Sequence, residues 1–422
     1  MNKFSQNLLL VLLVFYPFCA WLSYFGTDKG ITMVYNIFLI PYALYLLFEG
    51  KRKIPTYLVF FTLFTFYHIG STILYNLVPK DMNFAYFILS DTKLLACVFM
   101  LIIEYTDYDA AYIKKFSAGI FVVVGLAFVV SLIQTKDPMI FYNTHILVEG
   151  IDLSFLEEQR IYSIFSWISA STVGISFPIM CGILIERYGD KKIWLFVIFL
   201  CAVAVSFLTK SRYAMVSTII VFFQLLFSRR SFFMNLLSMI FLGAVGIFVL
   251  LNVAKSYGYN IDEVIANRIL EKDGDMVSAK ARILSYEVFM EKFPENPWLG
   301  VGPETREDVK QLLGEGIPLI HVGYLSYLYF YGFVGCFFFF TALYYLFRKS
   351  WIVGRAYNKW AVFFGLVSFC VANATLVYFE VGDMGILISI VYLRYYQVFY
   401  PQELEEEEEA QHEAEEAGVG FA

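Results

Sequence analysis

The chain has 422 residues, 59% hydrophobic and only 16% charged, with a mean hydropathy of +0.65. Soluble domains carry nearer a quarter charged residues, so this composition excludes a soluble globular protein and points to an all-α integral membrane protein. The net charge of −6 says little about partners, because the tail from Glu403 to Glu416 supplies most of the excess acid, and without a basic stripe nucleic acid is excluded.

A spanning helix needs about 20 mainly apolar residues. On that criterion the sequence predicts twelve spans, near 7–25, 31–49, 57–78, 84–104, 116–133, 161–185, 193–209, 213–228, 232–253, 323–347, 360–378 and 384–400. The first apolar run follows one Lys and shows no small-residue cleavage site, so it reads as a retained span. Abundant Phe and Tyr (45 and 31 residues) suit lipid-facing and interfacial positions.

The Lys/Arg distribution orients these spans. One set of connections holds Lys3, Lys51-Arg52-Lys53, Lys114-Lys115, Arg187 with Lys191-Lys192, Arg229-Arg230, and Arg348-Lys349 with Arg355 and Lys359. The short connections of the other set hold only Lys29, Lys80, Lys136, Arg160, Lys210 and Arg212. The first set is more than twice as basic, which predicts both termini in the cytoplasm. The chain then divides into nine spans over 1–253, a large outer loop over 254–322, three spans over 323–400 and an acidic tail over 401–422. The run Glu405 to Glu409 in that tail reads as a solvated, disordered block.

The outer loop is too long for a plain connector. Ile261, Val264, Ile265 and Ile269 recur at helical spacing and suit a short amphipathic surface helix. A second helix is expected from near Ser278 to Phe293, stopped by Pro294 and Pro297, with Arg282 in its early turns. Gly300 and Gly302 mark a turn where the backbone bends tightly or approaches something closely. His321 stands directly before the tenth span.

Further cations gather on the same predicted face. Thr209-Lys210-Ser211-Arg212 forms a tight outer turn, and Arg160 precedes the sixth span. Each one alone suits a solvated face or a lipid headgroup, since Lys and Arg at span ends snorkel to the interface. Arg212 opens a span, where a charge is costly without an anionic partner. Asp91 and Lys93 are expected inside the fourth span, toward its outer half; at i and i+2 they point to different sides of a helix. Functional contact and structural cross-bracing are equally open for them. The six cysteines form no C-x-x-C pair and read as small packing residues.

Taken in order, these residues resemble the O-antigen polymerase and O-antigen ligase superfamily of bacterial surface-polysaccharide assembly. Leu208-Thr209-Lys210-Ser211-Arg212 is similar to the family's T-x-S-R turn. Arg282, with Glu295-Asn296-Pro297-Trp298-Leu299-Gly300-Val301-Gly302, resembles its R…E-N-P-x-x-G-x-G stretch. His321 followed by Gly332 and Gly335 matches a pattern in which His precedes Asn, Ser or Gln, then G-x-x-G. Arg160 to Phe165 fits a looser feature. The resemblance covers about residues 160–345. Val322 departs from it, standing where ligases carry a polar residue after the His.

The resemblance implies a GT-C-like, metal-independent, inverting glycosyltransferase of the bacterial cytoplasmic (inner) membrane, with no cofactor and an outward-facing site. Its donor would be a glycan on undecaprenyl pyrophosphate, its acceptor a glycan or lipid-linked glycan, and a chain-length regulator a further candidate partner. Arg212 and Arg282 would hold the pyrophosphate, His321 would act as general base, and Arg160, Lys210, Lys93 and Asp91 would contact substrate. The chemistry is consistent, because Arg grips phosphate oxygens bidentately and stays charged, and an imidazole titrates near neutrality. Val322 tips the choice toward a polymerase over a ligase that transfers glycan to lipid A-core. A flippase for lipid-linked sugars is the rival of another class. It is less favoured because the polar candidates gather at one surface and not at mid-membrane. A metal-dependent enzyme would need acidic ligands in the first outer loop, where Asp28 stands beside Lys29, while Asp273-Gly274-Asp275 reads as a turn.

Overall fold

The computed structural model describes residues 2–14, 28–49, 53–75, 77, 83–137, 161, 163–164, 172–209, 212–227, 277–303, 309, 312–313, 320, 322–374, 384–402 and 405. Among these residues all the regular structure is helical, with no strand. Four helices are long and apolar enough to cross a membrane: Thr32–Glu49, Thr56–Leu74, Ala110–Gln134 and Gly323–Tyr357. Lys3–Val14, Lys192–Leu208, Tyr213–Phe227 and Ala361–Ala372 are apolar but shorter. The expected ninth span, the amphipathic 261–269 helix, Asp273-Gly274-Asp275 and most of the acidic tail lie outside the described residues.

In chain order the helices are α1 (Asn2–Leu9), α2 (Asp28–Glu49), α3 (Thr56–Leu74), α4 (Phe84–Leu89), α5 (Thr92–Tyr105), α6 (Ala110–Gln134) and α7 (Phe177–Tyr188). There follow α8 (Lys192–Leu208), α9 (Arg212–Phe222), α10 (Gln224–Phe227), α11 (Val277–Lys292), α12 (Gly323–Tyr357), α13 (Ala361–Ala372) and α14 (Met384–Val398). Asp28, expected in a loop, is the first residue of α2. α12 packs along α3, α3 against α5, and α5 against α2; α7, α8, α9 and α13 form a second group. α14 touches α5, α7, α12 and α13, and every residue from Met384 to Leu393 is buried, so it is the central post of the bundle. Cys97, Cys181, Cys201 and Cys336 are buried free thiols, as their packing role requires.

The contacts sort the helix ends into two groups. At one end the start of α3 meets the end of α5, where Tyr57 O–H donates to Glu104 Oε1 at 2.7 Å. Arg394, late in α14, lies 3.7 Å from Glu104 Oε2, and the Lys349 ammonium sits 5.2 Å from the Tyr57 ring. Lys349 belongs to the basic set of connections. Removing one partner of a buried pair strands the other charge, so Glu104→Ala should destabilise the bundle by about 3 kcal/mol. Thermal unfolding of the detergent-solubilised protein measures this, with Lys53→Ala, whose residue is exposed, as the neutral comparison.

The opposite end carries the sequence candidates. Phe227 packs on Trp360 and Phe364 at the start of α13, so α9 and α13 run antiparallel and Arg212 lies toward the C-terminal end of α13. There Tyr324 O–H donates to Cys370 O at 2.7 Å, which brings the start of α12 to the same place. Ile161 N–H donates to Leu208 O at 3.4 Å, joining the chain just after Arg160 to the end of α8. Ser163 adopts a left-handed φ of 59° and is clamped by Gln134, whose Oε1 accepts from Ser163 N and whose Nε2 donates to Ser163 O.

Candidate active site

α12 is not one continuous helix. Gly332 has φ 57° and ψ −167°, a region essentially closed to residues with a Cβ. In an unbroken helix Phe333 N–H would pair with Tyr329 O, and Val334 N–H with Phe330 O. The break frees all four groups, and apolar surroundings make unpaired backbone costly.

The segment Pro297–Gly302 fills that gap. Phe333 N–H donates to Pro297 O at 2.9 Å and Val334 N–H to Trp298 O at 3.0 Å. In return Val301 N–H donates to Tyr329 O at 3.1 Å and Gly302 N–H to Phe330 O at 2.9 Å. Two lost helical bonds are thus replaced by four bonds to an inserted strap. The approach leaves no room for side chains: a Cβ on Gly300 would lie 2.3 Å from Phe330 O, and one on Gly332 2.4 Å from Trp298 O. The glycines of the two motifs therefore answer each other across the same contact.

α3 holds the strap from the other side. Tyr67 O–H donates to Leu299 O and Tyr75 O–H to Gly300 O, each at 2.7 Å. Gly335 faces Tyr67, and a Cβ there would come within 2.7 Å of its ring. The strap directly continues α11 through a short 3-10 turn at Phe293–Glu295, so it anchors the helix that bears Arg282. Phe289 stacks on Phe293 at 4.7 Å, and Phe293 packs on Phe333. Arg282 is half-buried near the start of the described part of α11.

Asp91 and Lys93 do not lie inside a continuous span, contrary to the hydropathy reading. The helix is interrupted at Ser90-Asp91, where Asp91 caps α5 by accepting Leu94 N–H on Oδ1 at 2.7 Å. Averaged hydropathy cannot register such a break, although Asp followed by Thr is a helix-start signal. Asn36 spans the gap, its amide donating to Leu89 O and Asp91 O. The hydrogen-bond partner of Asp91 is His68, with Nε2 at 2.9 Å from Oδ2. Lys93, half-buried in the first turn of α5, acts on that pair electrostatically. The other ring nitrogen of His68 bonds Tyr331 O–H at 2.9 Å.

Of the remaining candidates, Arg212 is the first residue of α9, while Arg160, Lys210 and His321 lie outside the described residues. Both neighbours of His321 are described. Ile320 is buried and its carbonyl accepts Ser326 Oγ at 2.5 Å; Val322 is the N-cap residue of α12 and gives no side-chain cap. An Asn or Ser at this position would be able to cap the helix, which Val322 does not do.

His68, Tyr67, Tyr75 and Tyr331 escaped the sequence reading. His68 is one of only four histidines and falls within the predicted span 57–78. An ionisable group at such depth is a site candidate by default, and that signal was there to be read.

A family model described as O-antigen ligase matches residues 196–340, from α8 to the middle of α12. That stretch is similar to the O-antigen ligase family. It is consistent with the O-antigen polymerase/ligase superfamily, and it encloses Arg212, Arg282, the strap and the Gly332 break. No curated protein matches the chain. The apolar helices, together with this match, point to an integral membrane protein.

Proposed function

We propose that this protein is an inverting, metal-independent glycosyltransferase that polymerises undecaprenyl-pyrophosphate-linked repeat units on the outer face of the cytoplasmic membrane. The observation that carries this reading is the strap seated in the Gly332 break. It ties the Arg282 helix to α12, whose start meets the C-terminal part of α13, the end toward which Arg212 lies. The similarity to the O-antigen ligase family over the same residues supports it.

The reaction needs little beyond charge and alignment. An acceptor hydroxyl on the next repeat unit attacks the anomeric carbon of the growing chain and yields its proton to His321. The new glycosidic C–O bond forms as the bond to pyrophosphate breaks, and undecaprenyl pyrophosphate leaves with the electron pair. Arg212 and Arg282 neutralise the charge it gains, the kind of contribution that is often the largest in such sites. Arg160, Lys210 and Lys93 are proposed as substrate contacts, Lys93 at the surface around the α4–α5 break. The Asp91 side chain, 7% exposed with one oxygen on His68 and the other on Leu94 N–H, supports that surface without touching substrate.

The ligase reading is favoured by the description of the matching family model, the polymerase reading by Val322. Purified protein in nanodiscs, given short lipid-linked repeat units alone, should extend them into a ladder, with undiminished rate in chelator. Transfer only to lipid A-core would establish the ligase instead. Movement of the substrate across the bilayer with no transfer to any acceptor would replace both with a flippase.

A further inference from the structure

Two helices are interrupted within stretches of spanning hydropathy, α4–α5 at Ser90-Asp91 and α12 at Gly332, and both interruptions meet at His68. Polar groups at that depth are costly and persist where they line or support a functional region. His68 is 7% exposed and Tyr331 2%, with Phe64 and Tyr327 packed on the Tyr331 ring. With Asp91 as the carboxylate, Nε2–H donates to Oδ2 and Nδ1 accepts the Tyr331 hydroxyl proton, so each polar end of the chain is matched. Tyr331 is the residue immediately before the break, and its two preceding carbonyls are the ones that receive the strap. α3 thereby grips both partners of the docking: the helix through His68 and Tyr331, the strap through Tyr67 and Tyr75.

We propose that His68, held between Asp91 and Tyr331, is a positioning residue for the transfer reaction, fixing the Gly332 break so that the strap and the Arg282 helix seat in one place. It acts through Tyr331 and the backbone and does not touch substrate. The functional half of this inference rests on the reading of Arg282 as a pyrophosphate-holding group; the structural half does not.

Amide hydrogen exchange and steady-state kinetics on the full-length protein in nanodiscs separate the two halves. In His68→Leu, amides in the segments 297–302 and 329–334 should exchange about tenfold faster. With lipid-linked repeat units as substrate, kcat should fall about a hundredfold, and KM much less. His68→Gln should restore both readouts, because a carboxamide can donate to Asp91 and accept from Tyr331 at once. Should His68→Leu fail to fold, Tyr331→Phe takes its place, with faster exchange at the same amides supporting the inference. Unchanged exchange in whichever of the two variants folds would overturn it. So would a His68→Gln protein as inactive as His68→Leu while its strap exchanges normally, since that would assign the imidazole to the chemistry. An Arg282→Ala protein that binds inorganic pyrophosphate as well as wild type would defeat the role given to Arg282, and the exchange result would still decide the docking role of His68.

Discussion

Alanine at position 332 should give a protein that no longer holds its fold. The backbone there requires φ +57°, and the added Cβ would meet Trp298 O at 2.4 Å and Gly300 N at 2.6 Å. The strained conformation alone costs on the order of 1–3 kcal/mol. Expelling the strap would also strand two carbonyls and two N–H groups in apolar surroundings, at about 1–3 kcal/mol for each group left unpaired. Together these come to about 5–15 kcal/mol, as large as the whole stability of a typical fold. Gly70→Ala and Gly125→Ala lie on α3 and α6 with nothing within 4 Å of the added carbon, so they should melt as wild type does. Size-exclusion profiles after graded heating would read all three. A Gly332→Ala protein as heat-resistant as these two would show that the strap contact is not what holds this end together.

The second large effect concerns charge in the site itself. Arg282→Lys keeps the positive charge but removes the planar fork, and should lower the transfer rate about a hundredfold. His321→Ala should cost about 10²–10⁴-fold through loss of the general base, while leaving donor binding largely intact. Single-turnover assays with lipid-linked repeat units, alongside binding of undecaprenyl pyrophosphate, distinguish the two. Arg282 variants lose affinity for the pyrophosphate as well as rate; His321 variants lose rate alone. Unchanged turnover in His321→Ala would remove that residue from the mechanism.

How much of this was legible in the sequence differs by feature, for physical reasons. The spans 31–49, 57–78 and 116–133 correspond to α2, α3 and α6 because burial in lipid imposes length and apolarity residue by residue. The helix expected from Ser278 to Phe293 is present as α11, since its stop is written locally in Pro294 and Pro297. The break at Ser90-Asp91 is invisible to hydropathy, because the window averages across these two polar residues and the apolar helices on either side. The strap was legible only as a tight bend or a close backbone approach, without its partner. Its meaning depends on pairing with carbonyls about thirty residues further along, and nothing local to Gly300 or Gly302 reports that partner. The same holds for His68, whose two hydrogen bonds reach residues 23 and 263 positions away. The motif glycines are the geometric condition for seating one backbone inside another.

The most direct measurement is an experimental structure of the protein with undecaprenyl pyrophosphate bound. The account predicts a diphosphate gripped by the guanidinium groups of Arg212 and Arg282, with the His321 imidazole facing the position of the departing sugar. A diphosphate seated elsewhere, or those three side chains opening onto separate surfaces, would contradict it.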